Sequence, residues 1–189
     1  IESTNGPVYE LDLGDGKPRR PFVNGEVDCI FPDQKSFPVT LYARYEGQEP
    51  RPDAAYEGAL TFADREHYNG QWLNGRREGT GRATWPNGDV YEGAWSRDRM
   101  HGRGVFRFAN GDRFEGNFAD NQFNGRGLMV FANGDRYEGE FRNNVKDGKG
   151  VHFFASKDRY EGNFQAGVQA GDGTHFYSNG DKYAGKFAN

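Results

Sequence analysis

Four histidines, one cysteine and a ladder of aspartates are the residues of this chain whose types suggest chemistry. His152 and His175 could bind zinc, and Asp89, Asp112, Asp135, Asp158 and Asp181 could bind calcium. Zinc holds its nitrogen ligands at about 2.0–2.1 Å, so two histidines must converge on one point. His152 and His175 stand 23 residues apart, at positions where Phe106 and Met129 stand elsewhere. If each such interval is a hairpin, two strand spacings separate them by about 10 Å. They therefore read as core replacements. Each aspartate follows a turn sequence, and side-chain bonding to turn backbone accounts for it without metal. Gly-x-Gly occurs at Gly79–Gly81, Gly102–Gly104, Gly125–Gly127, Gly148–Gly150 and Gly171–Gly173. No helix follows to cradle a phosphate, so these glycines read as packing punctuation. No Ser-His-Asp arrangement is readable. The chain is expected to be non-enzymatic, with no catalytic residue, no metal, no cofactor and no small-molecule substrate.

The elements behind these residues repeat. Tyr68-Asn69-Gly70-Gln71-Trp72 recurs as Tyr91-Glu92-Gly93-Ala94-Trp95 and again from Phe114, Tyr137, Tyr160 and Tyr183, at a constant step of 23 residues. Asn-Gly-Asp keeps the same step at Asn87, Asn110, Asn133 and Asn179, and is degraded to Ser156-Lys157-Asp158 once. Asn-Gly before a strand signals a two-residue hairpin turn with positive φ at both central residues. At the other turn stand Gly75, Asp98, Asn121, Asn144 and Gly167, types that tolerate the left-handed conformation. Glycine recurs too often for helix, and the apolar spacing is two. Tyr91, Gly93 and Trp95 then share one strand face, with the glycines leaving room for aromatic rings. The expected fold is all-β: an elongated antiparallel β-hairpin solenoid, a single twisted sheet with one 23-residue hairpin per repeat.

Composition agrees. The 189 residues carry a net charge of −4, and hydrophobic residues make up only 34%. Such values would suggest disorder, but 15% aromatic residues and 28 glycines argue for short strands and tight turns. A sequence pI near 5.6 argues against a nucleic-acid binder. No stretch approaches the roughly 20 apolar residues of a membrane helix, and no signal peptide opens the chain. Cys29 alone cannot form an internal disulfide, which fits an intracellular, cytoplasmic location. The chain begins at Ile1, as a fragment or processed product would.

Tyr-Glu-Gly-x-Trp followed by Gly-x-Gly at a 23-residue step resembles the MORN (membrane occupation and recognition nexus) repeat. The resemblance covers residues 68–187 well and 45–67 poorly. Asn69 and Ala184 replace the usual Glu, and Phe replaces Trp from Phe118 onward. It implies a non-catalytic interaction scaffold in a cytoskeletal or membrane-associated structure. It also implies two alternatives, an accessory domain of a larger enzyme and a phospholipid-binding module.

Three segments follow. Residues 1–44 lie outside the period, and seven of the eight prolines fall at or before Pro52. They are read as an N-terminal cap or a small non-repeat β segment, with strands in 8–13, 27–31 and 39–42. Residues 45–67 form a degenerate repeat, and 68–189 the array of five full repeats and a partial one.

On the face opposite the aromatic columns, a basic row (Arg113, Arg136, Arg159, Lys182) runs beside an acidic row (Glu92, Glu115, Glu138, Glu161). These rows suit cross-strand and diagonal ion pairs. Between them the second strand turns apolar at Leu128, Val130, Val151, Phe153 and Phe176. An apolar stripe of this kind is either a contact surface or a second core buried within the fold. Tyr183 and Phe187 lie on a last half-hairpin, whose edge could pair with another chain. These seven residues are the expected partner-binding site, for a protein partner or a homodimer. Arg76, Arg77, Arg97 and Arg99 form a short basic rim, a secondary site for membrane lipid.

Overall fold

The structure, a computed structural model, describes residues 44–47, 55–62 and 64–188. The expected cap or β segment in residues 1–44 lies outside the described residues except for Arg44, which opens the first strand of the sheet. Among the described residues thirteen strands follow one another in sequence order as neighbours in one unclosed sheet. They are β1 (Arg44–Gly47), β2 (Tyr56–Thr61), β3 (His67–Leu73), β4 (Arg76–Thr84) and β5 (Val90–Ser96). β6 (Arg99–Arg107), β7 (Arg113–Ala119), β8 (Gln122–Val130) and β9 (Arg136–Arg142) continue the series. β10 (Val145–Phe153), β11 (Arg159–Gln165), β12 (Val168–Phe176) and β13 (Lys182–Phe187) complete it. The described pairs are antiparallel. The chain divides into two compact units. The first takes residues up to Gly88 with Trp95–Asp98, and the second takes Asp89–Ala94 with Arg99 onward.

Register explains the conserved spacing of glycine within this chain. In the first unit Gly70 pairs with Gly58 and Gly81. In the second, Gly139 pairs with Gly127 and Gly150, and Gly162 with Gly150 and Gly173. A row of glycines thus crosses the strands, and tyrosine rings lie over it. Tyr137 Oη donates to Glu140 O at 3.1 Å, and Tyr160 Oη to Asn163 O at 3.0 Å. The ring of one strand thus covers the glycine of the neighbouring strand in its hairpin, as Tyr137 of β9 covers Gly150 of β10.

Each such ring also meets two others edge-on. Tyr137 contacts Phe141 of its own strand at 5.1 Å and Phe164 of the next repeat at 4.9 Å. Tyr68 contacts Trp72 at 4.9 Å and Trp95 at 5.2 Å. Edge-to-face pairs of this kind add about 0.5–1.5 kcal/mol beyond the area they bury. Tyr68, Tyr91, Phe114, Tyr137 and Tyr160 are fully buried by this arrangement.

The turn at Gly75, Asp98, Asn121, Asn144 and Gly167 has the left-handed backbone expected of it, whereas the Asn-Gly-Asp turn differs from the expected two-residue form. At the Asn-Gly-Asp turn only the third loop residue has positive φ, as in Gly111 (95°) and Gly134 (94°). Gly111 N donates to Phe108 O, and Phe108 N to Asp112 O. This is a three-residue loop ending in a left-handed residue. Asn110 Oδ1 accepts from Asp112 N at 2.9 Å, which holds the asparagine in the loop without left-handed backbone. The two-residue turn with paired positive φ lies at the other end of the hairpin, at Asp120 (49°) and Asn121 (68°) and at Asn143 (49°) and Asn144 (70°).

Both rims are tied from one repeat to the next. Asp112 Oδ1 accepts from Ala132 N, Asp135 Oδ1 from Ala155 N and Asp158 Oδ1 from Ser178 N, each at 2.8 Å. The aspartate ladder therefore bonds turn backbone, as its position suggests, but in the following repeat. At the opposite rim Met100 N donates to Asn121 Oδ1 and Phe123 N to Asn144 Oδ1, both at 2.8 Å.

Candidate interaction surface

The five stripe residues stand together in the second unit, on the face away from the rings. Val130 pairs with Arg113 and Arg136, and Phe153 with Arg136 and Arg159. Phe176 pairs with Arg159 and Lys182. Leu128 pairs with Glu115 and Glu138, and Val151 with Glu138 and Glu161. Apolar and charged side chains thus alternate from strand to strand. All five apolar residues are half-buried, whereas every buried apolar side chain among the described residues stands on the aromatic face. Arginines and glutamates of these rows pair along single strands: Arg136 Nη2 lies 2.6 Å from Glu138 Oε2, and Arg159 Nε 3.1 Å from Glu161 Oε1. The guanidinium of Arg136 covers the Phe153 ring at 5.0 Å, and that of Arg159 covers Phe176 at 4.3 Å.

A family model described as the MORN repeat matches residues 68–90, 91–113, 114–136, 137–159 and 160–182. The chain belongs to the MORN repeat family. No curated protein matches it. Among solved structures it is similar to the TCP domain of SAS-4 (dCPAP) from Drosophila melanogaster, solved in complex with a proline-rich motif of Ana2 (dSTIL). Identity is 16% and the TM-score 0.40, with 74% of this chain and 97% of that chain covered. No helix among the described residues is long and apolar enough to cross a membrane.

The remaining sequence-predicted residues separate. On β13, past the last matched repeat, Tyr183 is 48% exposed, while Phe187 is half-buried between the rings of Tyr160 (4.8 Å) and Tyr183 (5.3 Å). Arg76 and Arg97 are exposed, and Arg99 is exposed but paired with Asp120 at 3.2 Å. Arg77 is not a rim residue. It turns onto the aromatic face, where it pairs with Glu66 and lies 3.5 Å from Asp98 Oδ1. Its guanidinium stands 4.4 Å from the Trp95 ring and 5.7 Å from those of Phe62 and Tyr68. Two charged partners and three rings surround it where sequence neighbours alone implied solvent.

Three MORN repeats later the same register carries Lys146. Its Nζ lies 4.9 Å from the Tyr137 ring, 5.0 Å from Phe131 and 5.9 Å from Phe164. Burial lowers its pKa, and the Asp135 carboxylate partly restores it. His152 is buried beside it, 3.5 Å from Asp135 Oδ2 and 4.2 Å from the Phe154 ring. Burial pushes its pKa down and Lys146 pushes it further, while Asp135 opposes both. His152 therefore occupies the core position expected of it. His175 stacks on Tyr177 at 4.6 Å and on Phe154 at 5.6 Å. Sequence reasoning missed this inward column of cations; the signal was Arg77 and Lys146 sharing one position of the repeat.

Proposed function

We propose that this MORN repeat protein is a non-enzymatic scaffold that binds protein, and that it associates with itself through the face carrying Leu128, Val130, Val151, Phe153 and Phe176. One observation carries the reading: half-buried apolar side chains lie on the outward face, between arginines already stacked on two of them. Aromatic and arginine side chains are enriched in interface centres, where both can be desolvated together. A two-fold contact would set identical stripes against each other. A cytoplasmic location belongs to the same proposal.

The test is molar mass by light scattering during size exclusion, over a range of concentrations. A mass near twice 21.3 kDa is expected. Val130→Asp with Phe153→Asp should return it to a single chain while the far-ultraviolet spectrum stays that of the parent. A folded variant that keeps the doubled mass would move the contact off this face. A parent protein of single mass at every concentration would end the self-association reading.

A further inference from the structure

Arg77, Phe123, Lys146 and Gln169 share one position of the repeat and stand opposite the second aromatic residue of the preceding strand, Trp72, Phe118, Phe141 and Phe164. Three aromatic positions and one acid frame each slot. Around Arg77 they are Phe62, Tyr68, Trp95 and Glu66. Around Lys146 they are Phe131, Tyr137, Phe164 and Asp135. At Phe123 an aromatic ring takes the place of the cation and stacks on Phe114 at 3.9 Å, tilted by 16°. One step beyond Lys146, the same positions hold Phe154, Tyr160, Phe187 and Asp158, but the filler is the neutral, half-buried Gln169.

We propose that the slot framed by Phe154, Tyr160 and Phe187 receives an alkylammonium group from outside the chain, the side chain of a lysine on a partner protein. The ring faces carry negative charge density that attracts a cation. The chain uses the same frame twice for its own cations, so the geometry for one is built into the repeat. Glutamine is shorter than lysine and carries no charge, so it supplies neither the reach nor the attraction of Lys146. Asp158 holds the position that Asp135 holds beside Lys146. Its carboxylate accepts from Ser178 N at 2.8 Å and from Ser156 Oγ at 2.9 Å, bonds that hold it in the anionic form. A single carboxylate beside the rings matches the lysine slot; Arg77 has two. That the carrier is a protein rests on the function proposed above. The slot itself does not, because its residues lie on the aromatic face and not on that of the stripe.

The probe is n-butylammonium chloride, titrated into the full chain at pH 8 while aromatic carbon–proton spectra are recorded. Shifts are expected at Phe154, Tyr160 and Phe187. The neutral isostere n-butanol should bind about fivefold more weakly or worse. Gln169→Lys should abolish the response by filling the slot with the chain's own ammonium. If that variant loses the native spectrum, Asp158→Asn replaces it and should weaken butylammonium several-fold while leaving butanol unchanged. No shift at those rings, equal binding of butanol, or an undiminished response in the folded variant would each overturn the proposal. None of these outcomes bears on the light-scattering result, so the two readings fail separately.

Discussion

Gly150 lies under the phenol of Tyr137: a Cβ on this glycine would stand 2.4 Å from Tyr137 Oη. The ring can cross the paired strands only because nothing projects from them there. Gly150→Ala should therefore force the ring out of its packed position and cost about 1–3 kcal/mol, the range for overpacking a filled core. Urea denaturation checks this. Much of the loss should disappear when Gly150→Ala is placed in a Tyr137→Ala background, where the obstructed ring is absent.

Asp135 joins two repeats through the hydrogen bond it accepts from Ala155 N, besides its electrostatic contacts with His152 and Lys146. Asp135→Ala removes the acceptor 2.8 Å from Ala155 N. A loss of about 1 kcal/mol is expected. Amide hydrogen exchange would locate it: Ala155 should exchange faster, while the amide of Ala132, held by Asp112, should keep its protection.

His152 should make the protein sensitive to mild acid. Its folded pKa lies below the ordinary histidine value of 6.5 because of burial and Lys146. Above 6.5 the imidazole is neutral in both states and costs nothing. Below it the unfolded chain takes up the proton first, so stability falls until the folded pKa is passed. His152→Met, which copies Met129 at the same position, should flatten this part of a stability–pH curve. An unchanged slope would mean that other groups carry the acid sensitivity.

Much of this architecture could be read before any coordinates. A 23-residue step, with aromatics and glycines two apart, admits a hairpin and little else, and the Tyr137–Gly139–Gly150 relationship follows from that register. The turn types could not be read from Asn-Gly alone. Asn110 bonds Asp112 across a three-residue loop, and that choice depends on how the loop closes. Arg77 was misplaced because a charged residue beside a turn looks solvated, and its partners Glu66, Asp98 and Trp95 come from other strands and turns. For the stripe, the alternation of apolar and charged residues was legible. The stacking of Arg136 on Phe153 was not, because it depends on side-chain direction.

Tyr137 gives a matching prediction at the alkaline end. Burial first, and the Glu140 carboxylate second, raise its pKa from 10.0 to about 12. The buried phenol keeps its proton longer than the unfolded chain does. Its contribution is thus whole below pH 10 and is lost as pH climbs toward 12. Tyr137→Phe should remove that decline, since Phe114 fills the equivalent place without a hydroxyl. Thermal unfolding in alkaline buffers would show whether it does.

Binding to anionic vesicles should be slight at physiological salt. Arg77 is engaged on the aromatic face and Arg99 is paired with Asp120. Arg76 and Arg97 would contribute only about 1 kcal/mol each near a charged surface, and salt screens them. Co-sedimentation with phosphatidylserine vesicles, repeated with Arg76→Glu and Arg97→Glu, would contradict this if it were strong and lost in the variants.

Phe114 meets Phe118 in its own strand and Phe141 in the next repeat, and Asp112 reaches forward to Ala132. Because these bonds reach no further than the adjacent repeat, the array is editable in whole units. Excising residues 114–136 would join Arg113 to Tyr137, bring Phe141 to Tyr91 and give Asp112 the amide of Ala155 in place of that of Ala132. Removing 22 residues instead would turn every later side chain to the wrong face. The sequence therefore behaves as a ruler marked every 23 residues, on which genetic gain or loss is tolerated only at whole divisions.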